Sequence, residues 1–322
     1  MRKNTVLLAS VLVLFMAFAV VGYGNAFPDK PITIICPFSA GGGTDLVARN
    51  FAQVLPNYLP KKVSVVVEDK PGASGTVGTQ AMLDSKPDGH TIEIITSGPI
   101  AIQPHFGLVN YKWSDPTPII RVLSEPNIML VMKDAPWNSI EEWVDWCKKN
   151  PGKFLYSHAG KGSASHVAGE SVAAAAGIKL TGVPFDGTAP AITALLGGHV
   201  MGVCAQMPEG KAFTDQGSVK LLFATGPGGA YPNGPFLKEH GIDNEARVFT
   251  GFFGPKALPA DIVTILHDAF KKAMEDPIIV AAFKKQGNIV SYANGADFKA
   301  FIEKIYNQNG EVLKAAGLLT PK

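Results

Sequence analysis

Ile34-Ile35-Cys36-Pro37-Phe38-Ser39-Ala40-Gly41-Gly42-Gly43-Thr44-Asp45 passes from an apolar, β-branched stretch through a glycine run into the start of an amphipathic pattern. A second stretch, Phe154-Leu155-Tyr156-Ser157-His158-Ala159-Gly160-Lys161-Gly162-Ser163-Ala164-Ser165-His166, is built alike. In each, a glycine-rich loop joins the end of a strand to the start of a helix. The first N–H groups of a helix have no intrahelical acceptor, and the helix dipole adds positive charge there, so such a loop offers an anion a seat. Glycine lets the backbone approach a ligand closely and adopt positive φ. In open α/β sheets these loops stand at the carboxyl ends of strands, where ligands bind. One such loop is weak evidence, because glycine also serves simply to turn the chain. Two of them, in separate halves of the sequence, point to a binding cleft between two lobes.

Working outward, the first loop lies between a strand at 32–36 and a helix at 44–55, whose Leu46, Val47, Phe51 and Val54 recur at helical spacing. A strand at 63–67, the turn Lys70-Pro71-Gly72-Ala73-Ser74-Gly75, a helix at 76–85 and the turn Pro87-Asp88-Gly89 follow. A third strand at 91–96 ends beside Ser97, a further candidate contact. Strand, loop and helix in repetition argue for a parallel α/β sheet. The pattern then recurs. A strand at 127–132 leads to a helix at 139–149, opened by the capping box Ser139 with Glu142. Trp143 and Trp146 on that helix read as core. After a strand at 154–156 and the second loop, an alanine-rich helix ends at Gly177. Asp186-Gly187 opens another helix that ends at Gly197-Gly198, and 219–225 is a strand. Two amphipathic helices close the chain, one bearing Ile262, Ile265, Leu266, Phe270 and Met274, the other Phe298, Phe301, Ile302, Ile305, Val312 and Leu313.

Composition narrows the function classes. The chain has 322 residues, 46% hydrophobic and 17% charged, which is a folded globular profile long enough for two lobes. Arg2 and Lys3, the apolar run 6–21 and Gly24-Asn25-Ala26 read as an export signal cleaved after Ala26. An uncleaved membrane anchor is the alternative; the closely following Pro28 and Pro31 favour cleavage. With no cysteine near that point, no lipid anchor is expected. Removal of the signal leaves 27 basic and 27 acidic side chains, so nucleic acid and anionic membrane surfaces are poor partners. Cys36, Cys147 and Cys204 have no metal or redox spacing and read as buried free thiols. The P-loop, dinucleotide and nucleophile-elbow patterns all fail, and no histidine pair has metal-ligand spacing. No cofactor or metal is expected. A hydrolase assembled from Ser163, His166 and a distant acid stays open on residues alone.

Several blocks together resemble the substrate-binding receptors of the tripartite tricarboxylate transporter family, the Bug receptors. They are Phe27-Pro28-Asp29-Lys30-Pro31-Ile32, the run from Pro37 to Asp45 with Ala48-Arg49, Lys70 to Gly75, and Pro87-Asp88-Gly89-His90-Thr91. Gly160 to His166 with Gly169-Glu170, and Val183-Pro184-Phe185-Asp186-Gly187 through Leu195-Leu196-Gly197-Gly198, complete the set. The resemblance implies a type II, two-lobed periplasmic binding protein of the Venus-flytrap kind, each lobe a mainly parallel sheet flanked by helices. Lobe one is then 27–123 with 226–322, and lobe two 124–225. It implies a monomeric periplasmic receptor that closes on a small organic carboxylate and presents it to the membrane permease subunits of such a transporter. A sensor feeding a signalling partner is the runner-up.

In this family the ligand carboxylate is held mainly by backbone amides and water. Carried over, the site is Phe38, Ser39, Ala40, Gly41, Gly42, Gly43 and Thr44 in lobe one. In lobe two it is Ser157, His158, Ala159, Gly160, Lys161, Gly162 and Ser163, with His166, Asp186 and Gly187 nearby. Phe38 and Phe185 are candidate walls for the carbon body of the ligand. Asp45 ranks below the amides, since its i, i+4 spacing to Arg49 suits an ion pair. Ser157-His158 replaces two small residues usual in the family, and Lys161 adds a cation that would favour a di- or tricarboxylate. Asp69-Lys70 and Ser74 also depart from the pattern, and 226–241 departs most.

Overall fold

The computed structural model describes residues 27–242, 247–315 and 317–319. The export-signal reading of 1–26 lies outside the described residues. Strands β1 (Ile32–Cys36), β2 (Val65–Asp69) and β3 (Thr91–Thr96) pair in parallel in the order β2-β1-β3. Helices α1 (Gly43–Val54) and α2 (Thr76–Leu83) make the crossovers. Parallel strands covered on both faces read as continuous apolar runs, as β1 and β3 do, whereas edge strand β2 alternates between half-buried and exposed. Ser97–Ala101 forms a short helix, α3, directly after β3.

Strand β4 (Thr117–Met132) runs for 16 residues and serves two sheets. Its first part, 117–126, pairs antiparallel with the late strand Arg247–Gly254, and 120–123 pairs with Val290–Asn294. Its second part, 127–132, pairs antiparallel with strands of the middle of the chain. Between the two, helix α4 (Ile140–Lys149), β5 (Leu155–His158), α5 (Ala164–Ala176), β6 (Thr181–Pro184), α6 (Thr188–Leu196), β7 (Gly202–Gln206), α7 (Met207–Asp215) and β8 (Val219–Ala224) follow in turn. Strand β9 (Arg247–Gly254), α8 (Ala260–Ala273), α9 (Pro277–Gln286), β10 (Val290–Asn294) and α10 (Gly295–Ala315) close the chain. The strand order is therefore β2-β1-β3-β9-β4 in one lobe and β6-β5-β7-β4-β8 in the other, with β10 also on β4. Each lobe carries three parallel strands, then an antiparallel pair, and β4 belongs to both.

The cores are separate. Phe51 of α1 meets Phe252, Phe270 and Phe283 edge-on in the first, at centroid distances of 5.1, 5.4 and 6.0 Å. In the second, wholly buried Trp143 packs on Phe154 and Phe223. Truncating an aromatic anchor so placed costs about 3–5 kcal/mol. Ser139 caps α4 by accepting from the Glu142 N–H, while the Glu142 carboxylate takes the N–H of Asn138, one residue earlier than the capping box predicts. Three helices, not two, end the chain; α9 is short, and its buried face is only Ile279 and Phe283, too few positions for a helical period to stand out in the run Ile278 to Phe283. Strand 117–126 was also unread, since Pro118, Pro126 and Glu125 break its apolar run.

Candidate functional site

The first glycine loop is held by carboxylates. Asp45 Oδ2 accepts the Gly41 N–H at 2.8 Å, and its other oxygen meets Arg49 Nε at 2.7 Å, the predicted i, i+4 pair. Arg49 also reaches Asp69 at 2.7 Å. Burial and the neighbouring Asp45 charge push the Asp69 carboxyl up. Cys36, Asp45 and Asp69 have the proximity of a metal site, but the Arg49 guanidinium already lies on both carboxylates. The Gly42 N–H donates to Ser39 O at 3.4 Å, and the Gly43 N–H, at the start of α1, donates to Glu209 Oε1 at 3.1 Å.

The second loop is held by neutral rings and hydroxyls. His158 Nδ1 lies 3.0 Å from the Gly160 carbonyl and 3.3 Å from the Gly160 N–H, so it donates to the one or accepts from the other according to its tautomer. The Gly162 N–H donates to His166 Nδ1 at 3.1 Å. Ala159 N–H donates to Ser165 Oγ, and Ser163 caps α5 by accepting from the His166 N–H. The two imidazoles lie 4.5 Å apart between centroids. Burial, then the His166 ring, pushes His158 down to about 3. Burial, then the Lys161 charge, pushes His166 down to about 4. Both rings are therefore neutral at neutral pH. The Ser39, Gly41, Gly42 and Gly43 amides of loop one and the Ala159, Gly162 and Ser163 amides of loop two thus have protein acceptors. A polar N–H that is drawn inside the fold takes the nearest acceptor, because leaving it unpaired is costly.

The lobes are clasped across the cleft. The Ser39 N–H and hydroxyl both donate to the Asp186 carbonyl, and the Ser74 hydroxyl and the Gln103 amide donate to the Lys161 carbonyl, each at 2.6 Å. The Gly43–Glu209 bond is another bridge. Beside the clasp lies a cavity of about 550 Å³, walled by Gly41, Gly42, Gly43, Thr44 and Val47 from loop one and α1. Leu123, Glu125 and Thr250 from the strands between the lobes, Thr188 and Ile192 from α6, Gln206 at the end of β7, and Glu209 and Phe213 from α7 complete much of its wall. A second space of about 20 Å³ lies between Phe38, Gly42, Gly43, Thr44, Ala159, Thr188, Gln206 and Glu209. Gly42, Gly43, Thr44, Thr188, Gln206 and Glu209 line both.

Glu125 is buried at 2% exposure and accepts from Asn288 Nδ2 at 2.8 Å and from the Ile289 N–H at 3.2 Å. Burial pushes its carboxyl up to about 7, and the Glu209 charge adds to the rise. Glu209 keeps some surface toward the cavity, accepts from the Gln206 N–H at 2.8 Å and is raised by burial. Neither glutamate was singled out in the sequence reading. Gln206-Met207-Pro208-Glu209 does carry a signal, an N-cap with proline in the first turn and glutamate at the third position.

A family model described as the tripartite tricarboxylate transporter family receptor matches residues 47–318. The chain belongs to this family. A UPF0065 protein in the gbd 5′ region of Cupriavidus necator is 31% identical to this receptor over 297 residues, covering 91% of this chain and 90% of that one. The structure of the periplasmic binding protein BugD is 31% identical and superimposes with a TM-score of 0.86, covering 92% of this receptor and 100% of BugD. MatC from Rhodopseudomonas palustris, solved with bound malate, shares the fold at 24% identity and a TM-score of 0.83, over 89% of this receptor and 100% of that chain.

Of the predicted contacts in this receptor, Gly41, Gly42, Gly43 and Thr44 line the larger cavity, and Phe38 and Ala159 line the smaller. Neither cavity is lined by Ser39, Ala40, Asp45, Ser97, Ser157, His158, Gly160, Lys161, Gly162, Ser163, His166, Phe185, Asp186 or Gly187. Ser157 turns inward and donates to Ala191 O at 2.8 Å, and Phe185 packs into the core of the second lobe. Buried Ser97 begins α3, which faces loop two; a Cβ on Gly98 would stand 3.4 Å from Ser163 Cα. Lys161 is exposed, and its carbonyl, not its ammonium, takes part in the clasp. An ammonium keeps its hydration at a cleft rim unless a partner repays its burial. Among the described residues the three cysteines are free and buried, with their thiols pushed up by burial.

Proposed function

We propose that this receptor captures a small organic carboxylate between the lobe formed by 27–123 with 226–322 and the lobe formed by 124–225, and delivers it as a periplasmic monomer to membrane permease subunits. The observation that carries the reading is the cavity of about 550 Å³, bounded on one side by the glycine loop that opens α1 and on the other by α6 and α7. Its volume suits a small organic ligand. Malate and adipate, bound in two structures of the same fold, support the carboxylate class. Closure is a hinge motion: a ligand touching both walls favours the clasped state by its differential affinity. Gly41, Gly42, Gly43 and Thr44 are the contacts proposed from loop one. Among the described residues no helix is long and apolar enough to cross a membrane, in keeping with a receptor that meets its permease by docking.

The test is a thermal-shift screen of the unfolded and refolded protein against mono-, di- and tricarboxylates, amino acids, aromatic acids and neutral sugars. Ligand at 100 times Kd should add about 2.7 kcal/mol to stability. A saturable shift from carboxylates supports the reading. A shift confined to solutes lacking a carboxylate refutes it.

A further inference from the structure

We infer that the ligand of this receptor carries a protonated nitrogen as well as a carboxylate, and that Glu209 and Glu125 receive that nitrogen in the larger cavity. The inference rests on the carboxylate-receptor reading and narrows it to amino-bearing acids. Glu125 enters the cavity from β4, close to where that strand leaves one sheet for the other, and Glu209 enters from the first turn of α7. Glu125 stands on the part of β4 that pairs with β9, and Glu209 on α7 of the second lobe, so a group that bridges them ties α7 to the strands between the lobes.

Charge is the deciding observation. Among the described residues no lysine, arginine or histidine lies within ion-pair distance of either carboxylate. Their partners are neutral: Asn288 and the Ile289 N–H for Glu125, Gly43 and Gln206 N–H for Glu209. Of the two lysines on the cavity wall, Lys211 is tied to Asp215 at 2.8 Å and Lys285 is exposed. Neutral donors fix where a carboxylate points without cancelling its charge, and a deep carboxylate without a counter-ion is costly. An ammonium from the ligand supplies the missing counter-charge. Burial pushes Glu125 up to about 7 and raises Glu209 too, so a further carboxylate beside them favours their protonation while an ammonium favours their ionised forms, which selects against a dicarboxylate. Glu209 also occupies the Gly43 N–H, the place the helix start would otherwise offer to an incoming anion.

The experiment is calorimetric titration of the refolded protein near neutral pH with pairs matched in methylene count. The pairs are succinate with 3-aminopropanoate, glutarate with 4-aminobutanoate, and adipate with 5-aminopentanoate; a panel of α-amino acids and butylamine are run alongside. At least one amino-bearing acid should bind, and in the binding pair it should exceed its diacid by about tenfold or more, equivalent to about 1.4 kcal/mol. Glu209→Gln and Glu125→Gln, each preserving an acceptor, should shrink that ratio by about tenfold. Diacids binding as tightly as their amino partners would overturn the nitrogen inference and leave the carboxylate reading standing. Butylamine binding as tightly as the amino acids would keep the nitrogen and remove the carboxylate. No binding by any amino-bearing probe overturns the inference. The ratio in the unaltered protein decides the matter even if a variant fails to fold.

Discussion

The loop after β1 and the loop after β5 share one plan, strand, glycine turn and helix, yet they satisfy their N–H groups with different chemistry. Loop one relies on carboxylates, Asp45 for Gly41 and Glu209 for Gly43. Loop two relies on imidazoles, His166 as acceptor for the Gly162 N–H and His158 against the Gly160 peptide groups. Carboxylates are strong acceptors that bring charge into the cleft, whereas a buried imidazole accepts only while it stays unprotonated. Similar backbone patterns therefore produce one charged wall and one acid-sensitive wall.

The largest expected effect is the response to acid. Folded His158 and His166 resist protonation down to about 3 and about 4, while their unfolded counterparts take a proton near 6.5. Their depressed values contribute stability that is present above pH 6.5 and is lost as pH falls toward those folded values, on the order of 3 kcal/mol each by about pH 4. Glu125 acts with the opposite sign. Its raised carboxyl favours the folded state while protonated, and that contribution is lost as pH rises from about 4.5 to about 7. Urea unfolding at about pH 7 and pH 4.5 should show a steep acid loss, deepened in Glu125→Gln and flattened when both histidines become asparagine. A flat profile in the unaltered protein would sink the imidazole account of loop two.

Next in size is a pair of glycine substitutions. Gly160 has φ of +114°, and a Cβ there would stand 2.5 Å from Ser74 Oγ and 3.3 Å from Ser74 Cα across the clasp. Gly41 has φ of +81° but nothing within 4 Å of the same atom. Gly160→Ala should therefore destabilise by on the order of 2–3 kcal/mol and hold the lobes apart in small-angle scattering. Gly41→Ala should cost only about 1 kcal/mol and leave the scattering unchanged. Equal costs would mean that loop two does not touch lobe one as described.

Asp45→Asn sharpens the charge side of the comparison. It weakens the acceptor for Gly41 and leaves Arg49 with Asp69 alone, so a loss of about 1–2 kcal/mol in thermal unfolding is expected. Ser74→Ala is the mildest change. Gln103 still donates to Lys161 O, so about 1 kcal/mol should be lost from the clasped state only, visible as a larger mean radius with little change in melting temperature.

Local elements were legible where an apolar block ends at a turn residue. The strands at 32–36 and 91–96 lie within the predicted bounds, and α5 ends at Gly177 in the left-handed conformation that glycine tolerates. Strands β9 and the first part of β4 were not legible. Gly251 and Gly254 interrupt the one and prolines the other, and their ladder joins residues more than a hundred positions apart. The site divides in the same way. Gly41 to Thr44 are legible as candidates because glycine before a helix is a local pattern, and they line the cavity. At Lys161 the structure turns the carbonyl to the clasp, which spacing along the chain does not distinguish from the side chain.

By itself the sequence determined the two glycine loops, the strands and helices beside them, the Asp45–Arg49 pair and the family, since each depends on residues close together along the chain. Only the tertiary structure decided that β4 is shared by both lobes and that several amides of each loop already have acceptors. It also decided that Glu209 reaches Gly43 from 166 residues away, and that Glu125 faces the same cavity with neutral hydrogen-bond partners, Asn288 and the Ile289 N–H. Periodicity reports which face of an element is apolar, but not which distant carboxylate folding will bring to it. That choice is set by burial, which removes water from the N–H and the carboxylate together and leaves each as the other's partner.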